Sequence, residues 1–137
     1  MLCVGNNHQV PEYVETCESN RTTNSTQNDP DPCLSPCDHH DSMLALSMDD
    51  GAIKWSTNLL AYDVWTIPCQ SSPNTPNCPA ILGPDYDFGE APLLLYLDAL
   101  SNASNPRCLI IAGQKSGVVW ALDCDNGTII WATVNTH

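Results

Sequence analysis

Asp38-His39-His40-Asp41 sets two carboxylates and two imidazoles in one run, with Cys33 and Cys37 just before it. Side chains of these types hold metals: thiolate and imidazole suit zinc, and carboxylate oxygens suit calcium. A zinc centre made from Cys33, Cys37, His39 and His40 lacks the two well-spaced ligand pairs usual in structural zinc sites. Calcium takes six to eight oxygens, more than this run offers. A solvated loop accounts for the same residues, so the scaffold must decide. A second acidic turn holds Asp85 and Asp87, and Lys115 is one of only 4 basic side chains in the chain.

The elements that would position such groups follow from composition and pattern. Sixteen acidic residues against 4 basic ones give a formal charge of −12, which repels phosphate backbones and anionic lipid. Nucleic acid and membrane surfaces are therefore excluded as partners, and a small molecule or another protein is expected. No apolar run approaches the ~20 residues needed to cross a bilayer. Eight cysteines occur, at 3, 17, 33, 37, 69, 78, 108 and 124, five of them in polar, proline-rich stretches. Disulfides in an oxidising compartment are expected, with Cys33/Cys37 and Cys69/Cys78 the easiest local pairs. Four glycosylation sequons, at Asn20, Asn24, Asn102 and Asn126, point the same way. The opening MLCVGNNHQV has no basic region and is no secretion signal. The expectation is a secreted, extracellular protein whose chain begins inside something larger.

Strand-length runs of apolar, β-branched and aromatic residues recur between turn residues: 2–5, 43–48, 52–57, 93–97, 108–112, 118–124 and 128–134. No segment keeps a helical period for three turns. Asp49-Asp50-Gly51 and Asp125-Asn126-Gly127 each supply residues that tolerate positive φ between two such runs, which predicts two tight hairpins. The hairpins correspond at a constant offset of 76: Ala45 with Ala121, Leu46 with Leu122, Ile53 with Ile129, Trp55 with Trp131. One supersecondary unit is thus used twice. The second unit has four strands and the first has three, without an opening strand. Four-stranded antiparallel sheets repeated about an axis make a β-propeller, closed by about four to eight blades. The fold class expected is all-β, about two blades of an incomplete propeller. Blade one covers about residues 1–65 and blade two about 86–137. The long, largely strand-free stretches 6–41 and 66–87 read as surface loops pinned by disulfides.

The repeat A-L-x-x-D-x-G-x-x-x-W, at Ala45–Trp55 and again at Ala121–Trp131, resembles the tryptophan-docking repeat of the pyrroloquinoline quinone (PQQ) dehydrogenases. The resemblance is closest to the polyvinyl-alcohol dehydrogenase-like branch, through Gly5-Asn6-Asn7, Asp38–Ser42, Asp87–Pro92 and Gly113–Gly117. It covers nearly the whole chain but a minor part of the family's length. The family implies a propeller of about eight blades in which Trp55 and Trp131 fill seams, each ring worth roughly 2–3 kcal/mol or more when buried. It also implies PQQ and calcium as cofactors and an alcohol, small or polymeric, as substrate. On that resemblance Asp87 is the catalytic base and a calcium ligand, and Lys115, 28 residues on, faces the quinone oxygens. Asn7 matches less closely as a cofactor contact and Asp38 as a calcium ligand, while the family's adjacent cysteine pair has no counterpart. The remaining blades of the same propeller would be further partners. A competing expectation is a propeller that lost the oxidation and binds carbohydrate or protein, or an inactive truncated product.

Overall fold

The computed structural model describes residues 1–21, 31–72, 78–97 and 106–134. Asn24 and Asn102 of the sequons lie outside them. Seven strands form two antiparallel sheets: β1 (Leu2–Val4), β2 (Ser42–Leu46) and β3 (Ile53–Asn58) in order β1-β2-β3, then β4 (Leu93–Tyr96), β5 (Cys108–Gly113), β6 (Val118–Asp123) and β7 (Ile129–Val134) in order β4-β5-β6-β7. All seven expected strands are present, and the three- and four-stranded sheets are those of an all-β, propeller-like chain. Two short helices, α1 (Glu12–Ser19) and α2 (Ile67–Ser71), lie in the stretches read as loops. Neither is long enough to give a period readable in sequence.

The two hairpins are alike in detail. Ala45 faces Trp55 and Leu46 faces Ile53, with a register shift between Ala45 and Leu46. Ala121 faces Trp131 and Leu122 faces Ile129, with the same shift between Ala121 and Leu122. In each turn one glycine takes the left-handed conformation, Gly51 at φ 75° and Gly127 at φ 74°, which side chains with a Cβ resist. The acidic residues beside them stay at negative φ; the glycine alone makes the reversal.

The sheets are joined through the first unit's tryptophan. The indole nitrogen of Trp55 donates to the Cys124 carbonyl at 3.2 Å, and the Thr57 hydroxyl donates to the Gly127 carbonyl at 2.7 Å. A Cβ on Gly127 would lie 2.5 Å from Trp55 Cε3, so the ring packs directly against that backbone. Beneath it Met43 and Leu59 of the first unit pack with Phe88, Ile110, Trp120 and Leu122 of the second. A smaller core holds Val10, Val14 and Val64. It contains the Cys17–Cys33 disulfide, which corrects the expected Cys33/Cys37 pairing. Packing of α1 brings Cys17 to Cys33, and Cys37 is left free and exposed. The Cys69–Cys78 pair forms as expected, and Cys108–Cys124 ties β5 to the end of β6.

Gly51 has open space where Gly127 has Trp55, so the two glycines separate backbone strain from docking. Gly51→Ala is expected to cost about 1–2 kcal/mol of strain. Gly127→Ala is expected to cost a further ~1–3 kcal/mol from overpacking against the ring. Urea unfolding of dilute protein checks this, and equal losses would contradict the docking.

Candidate functional site at the seam of the two sheets

A cluster of carboxylates closes around one ammonium where the end of β1 meets the segment before β4. Asp87 Oδ1 is 2.8 Å and Asp85 Oδ1 3.0 Å from Lys115 Nζ. Lys115 sits in the β5–β6 turn, closed by the Gly117 amide donating to the Gln114 carbonyl at 2.9 Å with Gly117 at φ 83°. Its own amide donates to the Asp87 carbonyl at 3.1 Å, so both backbone and side chain hold the pair. The ammonium also lies over the Trp65 ring, 6.0 Å from its centre. These contacts raise the Lys115 pKa, the hydrogen bond to Asp87 first and that to Asp85 next.

The acidic side is built by burial. Asp63, 1% exposed, accepts the amides of Asp85 at 3.1 Å and Tyr86 at 2.7 Å, which holds Asp85 at φ 62°. Gly83 is required there, because a Cβ would lie 2.2 Å from Asp63 Oδ1. Gly5 lets Asp87 approach the end of β1, with a Cβ position only 3.3 Å from that of Asp87. The carbonyl of Gly5 accepts the Asp41 amide at 3.0 Å. Asp41 is wholly buried at φ 42°, and among the described residues neither of its carboxylate oxygens has a hydrogen-bond partner. Burial, then repulsion from Asp63, Asp87 and Asp85, pushes its pKa up to about 8.

Lys115 thus pairs with two carboxylates, while Asp63 is satisfied by two backbone amides and Asp41, among the described residues, has no partner. Asp87 and Lys115, given separate roles by the resemblance, lie in contact. Asn7 and Asp38 meet each other instead: the Asn7 amide donates to Asp38 Oδ2 at 2.8 Å. Among the described residues no hydrogen bond or ion pair links either side chain to Asp87. The Asn7 backbone does bridge to the segment containing Asp63 and Trp65, donating at 3.0 Å and accepting at 2.9 Å. The residues weighed for zinc are engaged elsewhere: Cys33 is in a disulfide, His39 Nδ1 pairs with the Ser56 hydroxyl at 2.9 Å and His40 Nε2 meets the Ala61 carbonyl. A recess of about 530 Å³ beside His39, Ser56 and Asn58 includes Asp38 but neither Asp87 nor Lys115. Sequence reasoning passed over Asp63. An Asp flanked by Tyr62, Val64 and Trp65 is the signal that marks it as buried.

No family model matches the chain, and no solved structure matches it. Two curated proteins do. A polyvinylalcohol dehydrogenase of Sphingopyxis sp. (strain 113P3) is 38% identical over 98 residues, 70% of this chain and 14% of that protein. A polyvinylalcohol dehydrogenase of Pseudomonas sp is 36% identical over 97 residues, 68% of this chain and 14% of that protein. This chain is related to the polyvinylalcohol dehydrogenases. It spans 14% of the length of either relative. Among the described residues no helix is long and apolar enough to cross a membrane.

Asp41 makes the stability of this chain depend on pH. Its native pKa of about 8 lies above the ordinary aspartate value. The native state therefore keeps a proton that the unfolded state releases, and stability falls as pH rises from roughly 4 toward 8. Asp41→Asn keeps the left-handed backbone and removes the ionisation. In the presence of a chelator, the variant's stability relative to wild type should rise steadily across that range. Denaturant midpoints at several pH values check this, and a constant difference would contradict it.

Proposed function

We propose that the Asp87–Lys115 pair belongs to the site of a PQQ- and calcium-dependent dehydrogenase that oxidises an alcohol, in a secreted protein. The 2.8 Å contact between a carboxylate and a cation on neighbouring turns supports this reading most directly. Kinship with the two polyvinylalcohol dehydrogenases supports it from the sequence side and does not favour the scaffold alternative. The three disulfides agree with an oxidising compartment. Blade one, about 1–65, and blade two, about 86–137, would each contribute half of the seam, with further blades completing the enclosure.

In this reading Asp87 accepts the proton of the alcohol hydroxyl, as a general base within hydrogen-bond reach of it. Lys115 holds Asp87 in place and presents its ammonium to carbonyl oxygens, where it would stabilise negative charge as it develops. PQQ, when bound, supplies the two-electron acceptor, and calcium polarises its carbonyl. Asp87 and Asp41 would hold the calcium. The resemblance pointed to Asp38, but Asn7 already satisfies that carboxylate, whereas the Asp41 oxygens are unpartnered. Asn7 would border the quinone pocket through the strand end it shares with Gly5. A general base contributes about 10²- to 10⁴-fold.

In the full-length polypeptide supplied with PQQ and calcium, Asp87→Asn should therefore lower turnover by about that factor and leave quinone affinity nearly intact. Lys115→Ala should weaken quinone affinity. Dye reduction and titration calorimetry read the two effects separately. Failure of the wild-type protein to bind the quinone would overturn the proposal.

A further inference from the structure

The two hairpin turns use one device with different side chains. Asp50 Oδ1 accepts the Ala52 amide at 3.1 Å, and Asn126 Oδ1, at the equivalent position of the repeat, accepts the Thr128 amide at 2.8 Å. Each closes an Asx turn around a left-handed glycine, Gly51 or Gly127. The turn needs only an oxygen at this position, and an aspartate supplies it in the first hairpin. The amide nitrogen of Asn126 and the hydroxyl of Thr128 are therefore additions that the turn does not require. Together they write Asn126-Gly127-Thr128, an acceptor sequence for N-linked carbohydrate. Asn126 Nδ2 is held loosely, donating to Asp123 Oδ2 at 3.4 Å, and both Asn126 and Thr128 are exposed. The Asn20 amide, by contrast, donates to the Thr16 carbonyl at 2.8 Å.

Further blades leave this amide open. Asn126 is exposed although the first sheet already docks on its hairpin through Trp55 and Gly127. Asp50 gives the complementary case: the second sheet is its following neighbour, and it too is exposed. A blade docked on the second sheet as the second docks on the first would therefore leave residue 126 uncovered. We infer that Asn126 carries an N-linked oligosaccharide, an inference that rests on the secreted reading proposed above. In the transfer, Asn126 Nδ2 forms a bond to the anomeric carbon of a sugar carried on a lipid pyrophosphate. The bond from that carbon to the phosphate oxygen breaks, the lipid pyrophosphate leaves, and the amide gives up one proton. The remaining N–H keeps its donor for Asp123, and Oδ1 still closes the turn. A bulky, polar group suits such a surface turn. The seam uses the Gly127 backbone rather than the Asn126 side chain, so the sugar leaves it intact.

Peptide mapping of the full-length polypeptide from its source tests the inference. A glycan-releasing amidase acting in heavy-oxygen water turns each glycosylated asparagine into a labelled aspartate, which mass spectrometry reads. Label at residue 126 is expected. Thr128→Ala, made in the same cells, removes the hydroxyl that transfer requires while keeping the amide and its turn, so the label should be lost. Thr128→Ser keeps a hydroxyl and should retain it. An unlabelled Asn126 beside label at Asn20, Asn24 or Asn102 would overturn the inference and leave the secreted reading standing. So would a chain with its disulfides intact and no label anywhere. A chain without label in which Cys17, Cys33, Cys69 and Cys78 are free thiols would overturn both. Label that persists in Thr128→Ala would contradict the assignment to this acceptor sequence.

Discussion

The packing of Trp55 on the Gly127 backbone fixes how the two sheets meet, and the candidate site lies where they meet. Its parts come from both sides of that seam. Gly5 and Asp41 belong to the first unit, and Asp87 and Lys115 to the second. A sheet pair free to slide would not hold Gly5 so close to Asp87 that a Cβ on it would lie 3.3 Å from that of Asp87. The indole and the Thr57 hydroxyl each satisfy a backbone carbonyl, so a large apolar surface is buried with its polar edge paired. Glycine at 127 is the condition for this approach, since any Cβ there would occupy the space of the ring.

The same seam concentrates like charge. Asp63, Asp85 and Asp87 repel the buried Asp41, and among the described residues Asp41 has no hydrogen-bond partner for either oxygen. A buried carboxylate without a partner is costly, and it escapes ionisation by keeping its proton. Left-handed backbone at Asp41 and Asp85 adds strain at the same place. Such a region lowers the stability of the chain, the pattern expected where a fold trades stability for function. The disulfides offset part of that cost. Closing a loop of 16 residues, as Cys17–Cys33 and Cys108–Cys124 each do, contributes about 3 kcal/mol by restricting the unfolded chain.

The strands and hairpins were legible because they are local. Alternation and turn residues mark each run, and the constant offset of 76 implies that the two hairpins share a register. The nearness of Asp87 and Lys115 was legible only through resemblance, since nothing in their spacing implies contact. What stayed hidden depends on long-range packing. Cys33 lies four residues from Cys37, yet helix α1, too short to show a period, brings Cys17 to it instead. The Asp38–Asp41 run gives no sign that Asp38 pairs with Asn7 while Asp41 is buried alone, because the burial is imposed by Gly5 and the opposite sheet.

Hydrogen exchange of the tryptophan indole protons, followed by nuclear magnetic resonance in dilute, low-salt solution, tests the seam most directly. Trp55 and Trp131 occupy the same place in the repeat and differ in what they meet. The Trp55 indole proton should exchange far more slowly than that of Trp131, because its carbonyl acceptor belongs to the other sheet and opening requires the seam to part. Equal, rapid exchange at both would show that the sheets are not joined through Trp55, and the basis for the shared site would be lost.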